Sequence, residues 1–269
     1  MGHGIAHASI AAGYDTALFD VSQSALDAAT AAIAAIADTE VHRGRGTAEE
    51  RAGMLARLTP TTVLRDAVRG ANMVIEAVPE QIDLKLSVFS EVQACVDDDA
   101  VLATNTSALS ITEIAAVLDR PDRLAGMHFF NPVPRMRLVE IVRTLESSDA
   151  TIASISEVAR RMGKETVLVR ESPGFITSRI NVLIGNEAFY LLRESIASAR
   201  DIDKALKLGL NHPMGPFELV DLVGLDTRLS ILQYLHLALG EKFRPCPLLE
   251  EYVQAGRLGR KVGRGVYDY

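Results

Sequence analysis

The chain has 269 residues, 48% of them hydrophobic and 23% charged, with a formal net charge of −7. That apolar fraction excludes a disordered or low-complexity chain, and the acidic balance argues against nonspecific nucleic-acid binding. Two cysteines, Cys95 and Cys246, are too few for a disulfide scaffold or a Cys-based zinc site, so a reducing interior is expected.

The first two thirds alternate helix and strand patterns. Small residues from Ile5 to Ala12 suit a helix, and 16–20 (TALFD) reads as a short strand ending in Asp20. Residues 22–37 are Ala-rich, with Leu26, Ile33 and Ile36 at helical spacing. Thr47 and Glu50 make a capping-box pattern that opens a second helix through Leu58. Together these predict a helical hairpin after the strand. Residues 73–78 (MVIEAV) form an apolar strand broken only by Glu76, and a helix follows over about 82–95. A buried strand is predicted at 100–104, and Ser110 with Glu113 caps a helix over ITEIAAVL. Strands follow at 124–128, 138–142 and 166–170, with a helix over 150–162 closed by Gly163. Such alternation predicts a mostly parallel sheet covered on both faces.

After Arg170 the pattern changes. Ser172-Pro173-Gly174 punctuates the chain, and almost no strand pattern follows. Ile176, Ile180, Leu183, Ile184, Glu187 and Leu191 line one stripe of a long helix. Shorter helices are predicted around 199–208, 216–223, 226–239 and 246–255. The expected organisation is therefore an α/β domain over 1–170 and an all-α domain over 171–269. No apolar run approaches the ~20 residues of a membrane span. The start also lacks the basic region of a signal peptide. No histidine spacing suits a metal.

The N-terminus looks like half of a dinucleotide-binding unit. That unit is a strand, a Gly-x-Gly-x-x-Gly turn and a helix, with an acid about 20 residues on that binds ribose hydroxyls. Here Gly2, Gly4, a small-residue helix, a turn at Gly13-Tyr14, a strand and Asp20 are present. Asp20 follows Gly2 by 18 positions, which fits Gly2 as the third glycine. The other reading is an ordinary helix with a surface turn acid.

His128 ends the strand LAGMH, and Glu140 shares a strand face with Leu138 and Val142 in LVEIV. A carboxylate on an apolar face is costly unless it has a partner. A histidine with an ordinary pKa suits proton abstraction from an alcohol, and a carboxylate on its far nitrogen would orient it. The same pair could serve packing alone. Ser107, closing TNTS at the carboxyl end of the 100–104 strand, would face the ligand crevice of an open α/β sheet or be an ordinary turn serine.

MGHGIAHASIAAGYDTALFD, EAVPE, TNTSALSIT, MHFFNPVPRMRLVEIV, SPGFI, HPMGPFELVDLVGLD and GRKVGRGVYDY occur in that order along the chain. They resemble the L-3-hydroxyacyl-CoA dehydrogenases, with the nearest likeness to bacterial 3-hydroxybutyryl-CoA dehydrogenases. The resemblance implies a Rossmann-type NAD-binding domain and a helical C-terminal domain that pairs subunits in a cytoplasmic homodimer. It implies oxidation of a short-chain L-3-hydroxyacyl-CoA to the 3-ketoacyl-CoA. His128 and Glu140 would form the catalytic dyad, with Ser107 on the substrate oxygen. Gly2, Asp20, Glu80, Lys85, Asn105, Asn131 and Lys261 would line the cofactor. An acid at Asp20 would repel a 2′-phosphate and favour NAD over NADP. Arg43, in the basic Arg43-Gly44-Arg45 tip, would meet the CoA phosphates. Ser178 stands where many relatives carry a substrate-contacting asparagine. Glu80 and Lys85 read equally as a solvated helix start, Asn131 as a turn residue, Lys261 as a tail charge and Arg43 as a loop charge. Family members carry a strand and Gly-x-Gly-x-Met-Gly before the glycine matching Gly2. We therefore expect some 10–20 further upstream residues, one strand and its turn. Rival expectations are a dehydrogenase for a dicarboxyl-CoA such as 3-hydroxyadipyl-CoA or for a free hydroxy acid, and a catalytically silent or truncated relative.

Overall fold

The computed structural model describes residues 1–269, which fall into two compact units, Met1–Glu171 and Ser172–Tyr269. The first begins with α1 (Gly2–Ala11), β1 (Thr16–Phe19), α2 (Gln23–His42), α3 (Ala48–Leu55), β2 (Leu58–Thr61) and α4 (Leu64–Val68). It continues through β3 (Met73–Glu76), α5 (Ile82–Gln93), β4 (Val101–Thr104), α6 (Ile111–Ala115), β5 (Leu124–Phe129), β6 (Leu138–Arg143), α7 (Asp149–Arg161) and β7 (Glu165–Arg170).

The capping box at Thr47 forms as the sequence predicts: Thr47 Oγ1 accepts from Glu50 N at 3.1 Å, and Glu50 Oε2 accepts from Thr47 N at 2.8 Å. The helix it opens stops at Leu55, short of Leu58. Leu58 instead begins β2, whose LTPT pairs in parallel with β1, Leu18 opposite Pro60. Proline in so short a segment hides the strand from pattern reading. α6 ends at Ala115, earlier than ITEIAAVL suggests. Gln93 captures the chain beyond it, donating to the Val117 carbonyl at 2.8 Å and accepting from Asp119 N at 2.9 Å.

The strands form two sheets rather than one. β1 and β2 stand as a pair, and a five-stranded sheet runs β3-β4-β5-β6-β7. All neighbours are parallel except β5 and β6. The helix α1 serves both sheets. Ile5 and Ala8 pack with Ala103, Met127, Phe129, Ile141 and Ile155, and Ala6 and Ile10 pack with Ile33, Leu18 and Leu58. Alanine and glycine on α1 let it lie close, and a Cβ on Gly4 would sit 3.0 Å from Val133 Cβ.

The second unit is helical throughout: α8 (Thr177–Arg193), α9 (Ala199–Gly209), α10 (Pro216–Val223), α11 (Leu225–Leu239) and α12 (Pro247–Gln254). The buried face of α8 is Val182, Gly185, Asn186, Ala188 and Phe189. The predicted stripe is turned aside, with Ile176, Ile180 and Glu187 exposed. The reason is the core that α8 meets: Phe189 packs edge-on against Phe217 and Tyr252. Gly185 also makes room for Val220, whose Cγ2 would lie 3.1 Å from an added Cβ. No helix is long and apolar enough to cross a membrane.

Candidate active site

In the antiparallel pairing of β5 and β6, His128 lies directly opposite Glu140. Side chains opposed across a ladder share a face, and His128 Nδ1 is 2.8 Å from Glu140 Oε2. An ionised carboxylate only accepts, so Nδ1 carries the proton and Nε2 presents a lone pair. His128 is 4% exposed and Glu140 1%, and the Phe130 ring tilts against the imidazole at 4.6 Å between centroids. Two residues earlier, Gly126 is required by packing. A Cβ there would approach Ile111 Cδ1 to 2.5 Å and Val142 Cβ to 2.7 Å, so α6 seats directly on the strand. Glu171 anchors the start of that helix, accepting from Ile111 N at 2.6 Å, Thr112 N at 3.0 Å and the Ser110 and Thr112 hydroxyls.

The carboxyl ends of β3 and β4 carry a second polar group. Glu76 Oε1 accepts from Lys85 Nζ at 2.8 Å, and Oε2 accepts from the Thr104 hydroxyl at 2.6 Å. Glu80 Oε1 accepts from the Thr106 hydroxyl at 2.6 Å, Ser107 N at 2.7 Å and Ala108 N at 3.1 Å. Glu80 thus shapes the TNTS turn and fixes the backbone under Ser107, which is partly exposed. Asn105 Oδ1 accepts from Phe129 N at 2.8 Å. That bond ties the end of β4 to the residue after His128 and commits the oxygen of Asn105, leaving its amide group to offer a ligand.

Lys85 departs from the solvated helix start that was one of its two expectations: its side chain is 1% exposed and paired with Glu76 and, at 3.4 Å, with Glu80.

The amino end of α1 suits a diphosphate. Gly2 begins the helix, the first turn carries no acidic residue, and the space where a Gly2 side chain would stand is open. Unsatisfied N–H groups and the helix dipole favour an anion there. Asp20 follows β1, with Oδ1 accepting from Ser22 N at 2.9 Å, and its second oxygen remains for ribose hydroxyls. These residues fit an adenine dinucleotide.

Asn131 is exposed in the turn after β5. Arg43, at the end of α2, is exposed and lies 3.7 Å from Glu40. In the second unit, Ser178 occupies the first turn of α8, and Lys261 Nζ is held by Asp226 at 2.6 and 2.7 Å. Lys164 escaped the sequence reading. Its buried ammonium donates to the carbonyls of Val133 at 2.5 Å and Met136 at 2.9 Å, holding the loop between β5 and β6. No group of three or more His, Cys, Asp or Glu side chains is placed to hold a metal.

An α/β unit that fits a dinucleotide, with a buried His–Glu pair near its strand ends, defines a nicotinamide-dependent oxidoreductase. Comparison with known proteins makes the class specific: residues 1–172 match the 3-hydroxyacyl-CoA dehydrogenase NAD binding domain and residues 174–269 match the 3-hydroxyacyl-CoA dehydrogenase C-terminal domain. A 3-hydroxybutyryl-CoA dehydrogenase of Bradyrhizobium diazoefficiens is 44% identical over all of this chain and 92% of its own length. A probable 3-hydroxybutyryl-CoA dehydrogenase of Bacillus subtilis is 43% identical over all of this chain and 94% of its own. The crystal structure of (S)-3-hydroxybutyryl-CoA dehydrogenase from Ralstonia eutropha superposes with a TM-score of 0.96 at 42% identity, covering 100% of this chain and 95% of that one. The chain belongs to the 3-hydroxyacyl-CoA dehydrogenase family and is an NAD-using dehydrogenase.

Proposed function

We propose that the protein oxidises short-chain L-3-hydroxyacyl-CoA thioesters, 3-hydroxybutyryl-CoA among them, to the 3-ketoacyl-CoA. The His128–Glu140 contact carries this reading, together with relatives that bear that substrate's name at 43% and 44% identity. NAD, when bound, supplies the acceptor for the hydride that leaves C3. His128 Nε2 takes the hydroxyl proton, because Nδ1–H is held by Glu140 and the basic lone pair is therefore on Nε2. Glu140 keeps the ring oriented and stabilises the imidazolium that forms. Ser107, on the turn built by Glu80, donates its hydroxyl to the substrate oxygen. In the reverse direction the same imidazolium returns its proton to the ketone oxygen.

On this reading Gly2, Asp20, Glu80, Lys85, Asn105, Asn131 and Lys261 serve the cofactor. Ser178 contacts the acyl group, Arg43 meets the CoA phosphates, and the helical unit binds substrate and pairs two subunits. Free thiols at Cys95 and Cys246 suit a reducing, cytoplasmic setting. The test is NADH formation at 340 nm with L-3-hydroxybutyryl-CoA, its D isomer and free 3-hydroxybutyrate. Turnover restricted to the L thioester supports the proposal, and equal rates on the free acid would overturn it.

A further inference from the structure

Glu76, Thr104, Thr106, Glu80 and Lys85 close a ring of polar contacts around the TNTS turn, all within the first unit. Lys85 Nζ lies 2.8 Å from Glu76 Oε1 and 3.4 Å from Glu80 Oε2. Glu76 Oε2 accepts from the Thr104 hydroxyl at 2.6 Å, Thr104 Oγ1 accepts from Thr106 N at 3.3 Å, and the Thr106 hydroxyl donates to Glu80 Oε1 at 2.6 Å. The ring holds two carboxylates and one ammonium, so one negative charge is in excess. Burial decides where it resides. Glu76 and Lys85 are each 1% exposed and in contact, and so enclosed a pair must neutralise itself. Glu80 keeps 38% of its side chain exposed. Its remaining partners, the Thr106 hydroxyl, Ser107 N and Ala108 N, are neutral dipoles. They fix the carboxylate in place without cancelling its charge.

The position of that charge gives it a use. Glu80 Oε1 is 2.7 Å from Ser107 N, and on the function proposed above the Ser107 hydroxyl meets the oxygen on C3 of the substrate. Hydride leaves the same carbon for the nicotinamide, and reacting atoms must approach to about 3–3.5 Å, which brings that ring to on the order of 10 Å from the Glu80 carboxylate. The ring is a cation in NAD+ and neutral in NADH, while the rest of the dinucleotide is the same in both. We propose that Glu80 sets the preference of this site between the two redox states of the cofactor. Its excess charge favours the oxidised form and loosens the hold on the reduced form, which must leave after each oxidation. This rests on the function proposed above, through the role of Ser107. Glu80 takes up no proton and no electrons in this role and acts through its field alone.

The test measures Kd of the full chain for NAD+ by calorimetry and for NADH by its fluorescence, without substrate. Glu80→Gln removes the charge and keeps an oxygen for the three donors. The ratio of Kd for NAD+ to Kd for NADH should rise by ~2–16-fold, the effect of one unit charge about 10 Å away at an effective dielectric between about 80 and about 20. Glu80→Asp keeps the charge and should leave the ratio near that of wild type, even where both affinities fall. A folded Glu80→Gln that weakens both forms alike, or neither, overturns the proposal and leaves the carboxylate a purely structural role. If Glu80→Gln does not fold, the ratio is followed in wild type as KCl is raised from about 50 to about 500 mM, which shortens the screening length. A rising ratio then supports the proposal and a flat one overturns it. A protein that binds both dinucleotides but oxidises no L-3-hydroxyacyl-CoA would instead overturn the underlying function.

Discussion

His128 and Glu140 are twelve residues apart in sequence and meet at 2.8 Å because β5 and β6 fold back on each other in register. Any one-residue slip of that ladder would send one of the two side chains to the opposite face of the sheet. His128→Gln should therefore lower kcat by ~10²–10⁴, the usual cost of losing a general base. Glu140→Gln should cost a comparable factor, since an amide can present N–H to Nδ1 and so move the ring proton onto Nε2. Steady-state rates with L-3-hydroxybutyryl-CoA check both. Near-normal turnover in either variant would remove that residue from the mechanism.

Lys85 and Glu76 form a pair with both side chains 1% exposed. Removing one charge from such a pair strands the other, at a cost of about 3–5 kcal/mol. Lys85→Met should accordingly lose stability on that scale in urea unfolding. Lys85→Met combined with Glu76→Leu should recover much of it, because the stranded carboxylate is gone.

Lys164 reaches from the end of α7 to two carbonyls of the loop joining β5 to β6. Lys164→Met leaves both acceptors without their donor, and each such loss is worth about 1–3 kcal/mol where the group stays buried. The expected outcome is a lower Tm with kcat reduced more than KM is raised, because the loop sets the hairpin that carries His128 and Glu140. Lys164→Arg should restore part of the Tm. A Tm equal to wild type in Lys164→Met would show that water replaces the ammonium.

His7 is 9% exposed in α1, with Nδ1 lacking a partner. Burial, more than the nearby Lys164 charge, lowers its pKa from the ordinary 6.5. The unfolded chain therefore binds the proton first as pH falls below 6.5, and stability drops in that window. Above it the ring is neutral in both states and contributes no pH dependence. Unfolding free energies between pH 7 and pH 5 should fall less steeply in His7→Leu than in wild type. Parallel curves would locate the acid sensitivity elsewhere.

Much of the helical framework is legible in the chain alone. The Thr47–Glu50 box, the Ser110 cap and the helix ended by Gly163 involve residues within one or two turns of each other. Their hydrogen bonds are local, so the order of residues suffices to place them. His128 and Glu140 were visible for a related reason: a charged residue inside an apolar alternation needs a partner, and few candidates stand nearby.

Other features depend on residues that meet only after folding. β2 carries a proline and becomes a strand because β1 lies beside it. Glu171 anchors α6 from some sixty positions away, and Lys85 reads as a surface lysine until Glu76 and Glu80 enclose it. The exposed stripe of α8 was set by the aromatic core of its own unit. Residue order therefore determined the helices, the caps and the chemical character of the His–Glu pair, since these follow from neighbours along the chain. Tertiary structure alone decided which charges are buried and what neutralises them, because desolvation and ion pairing depend on the whole surrounding volume.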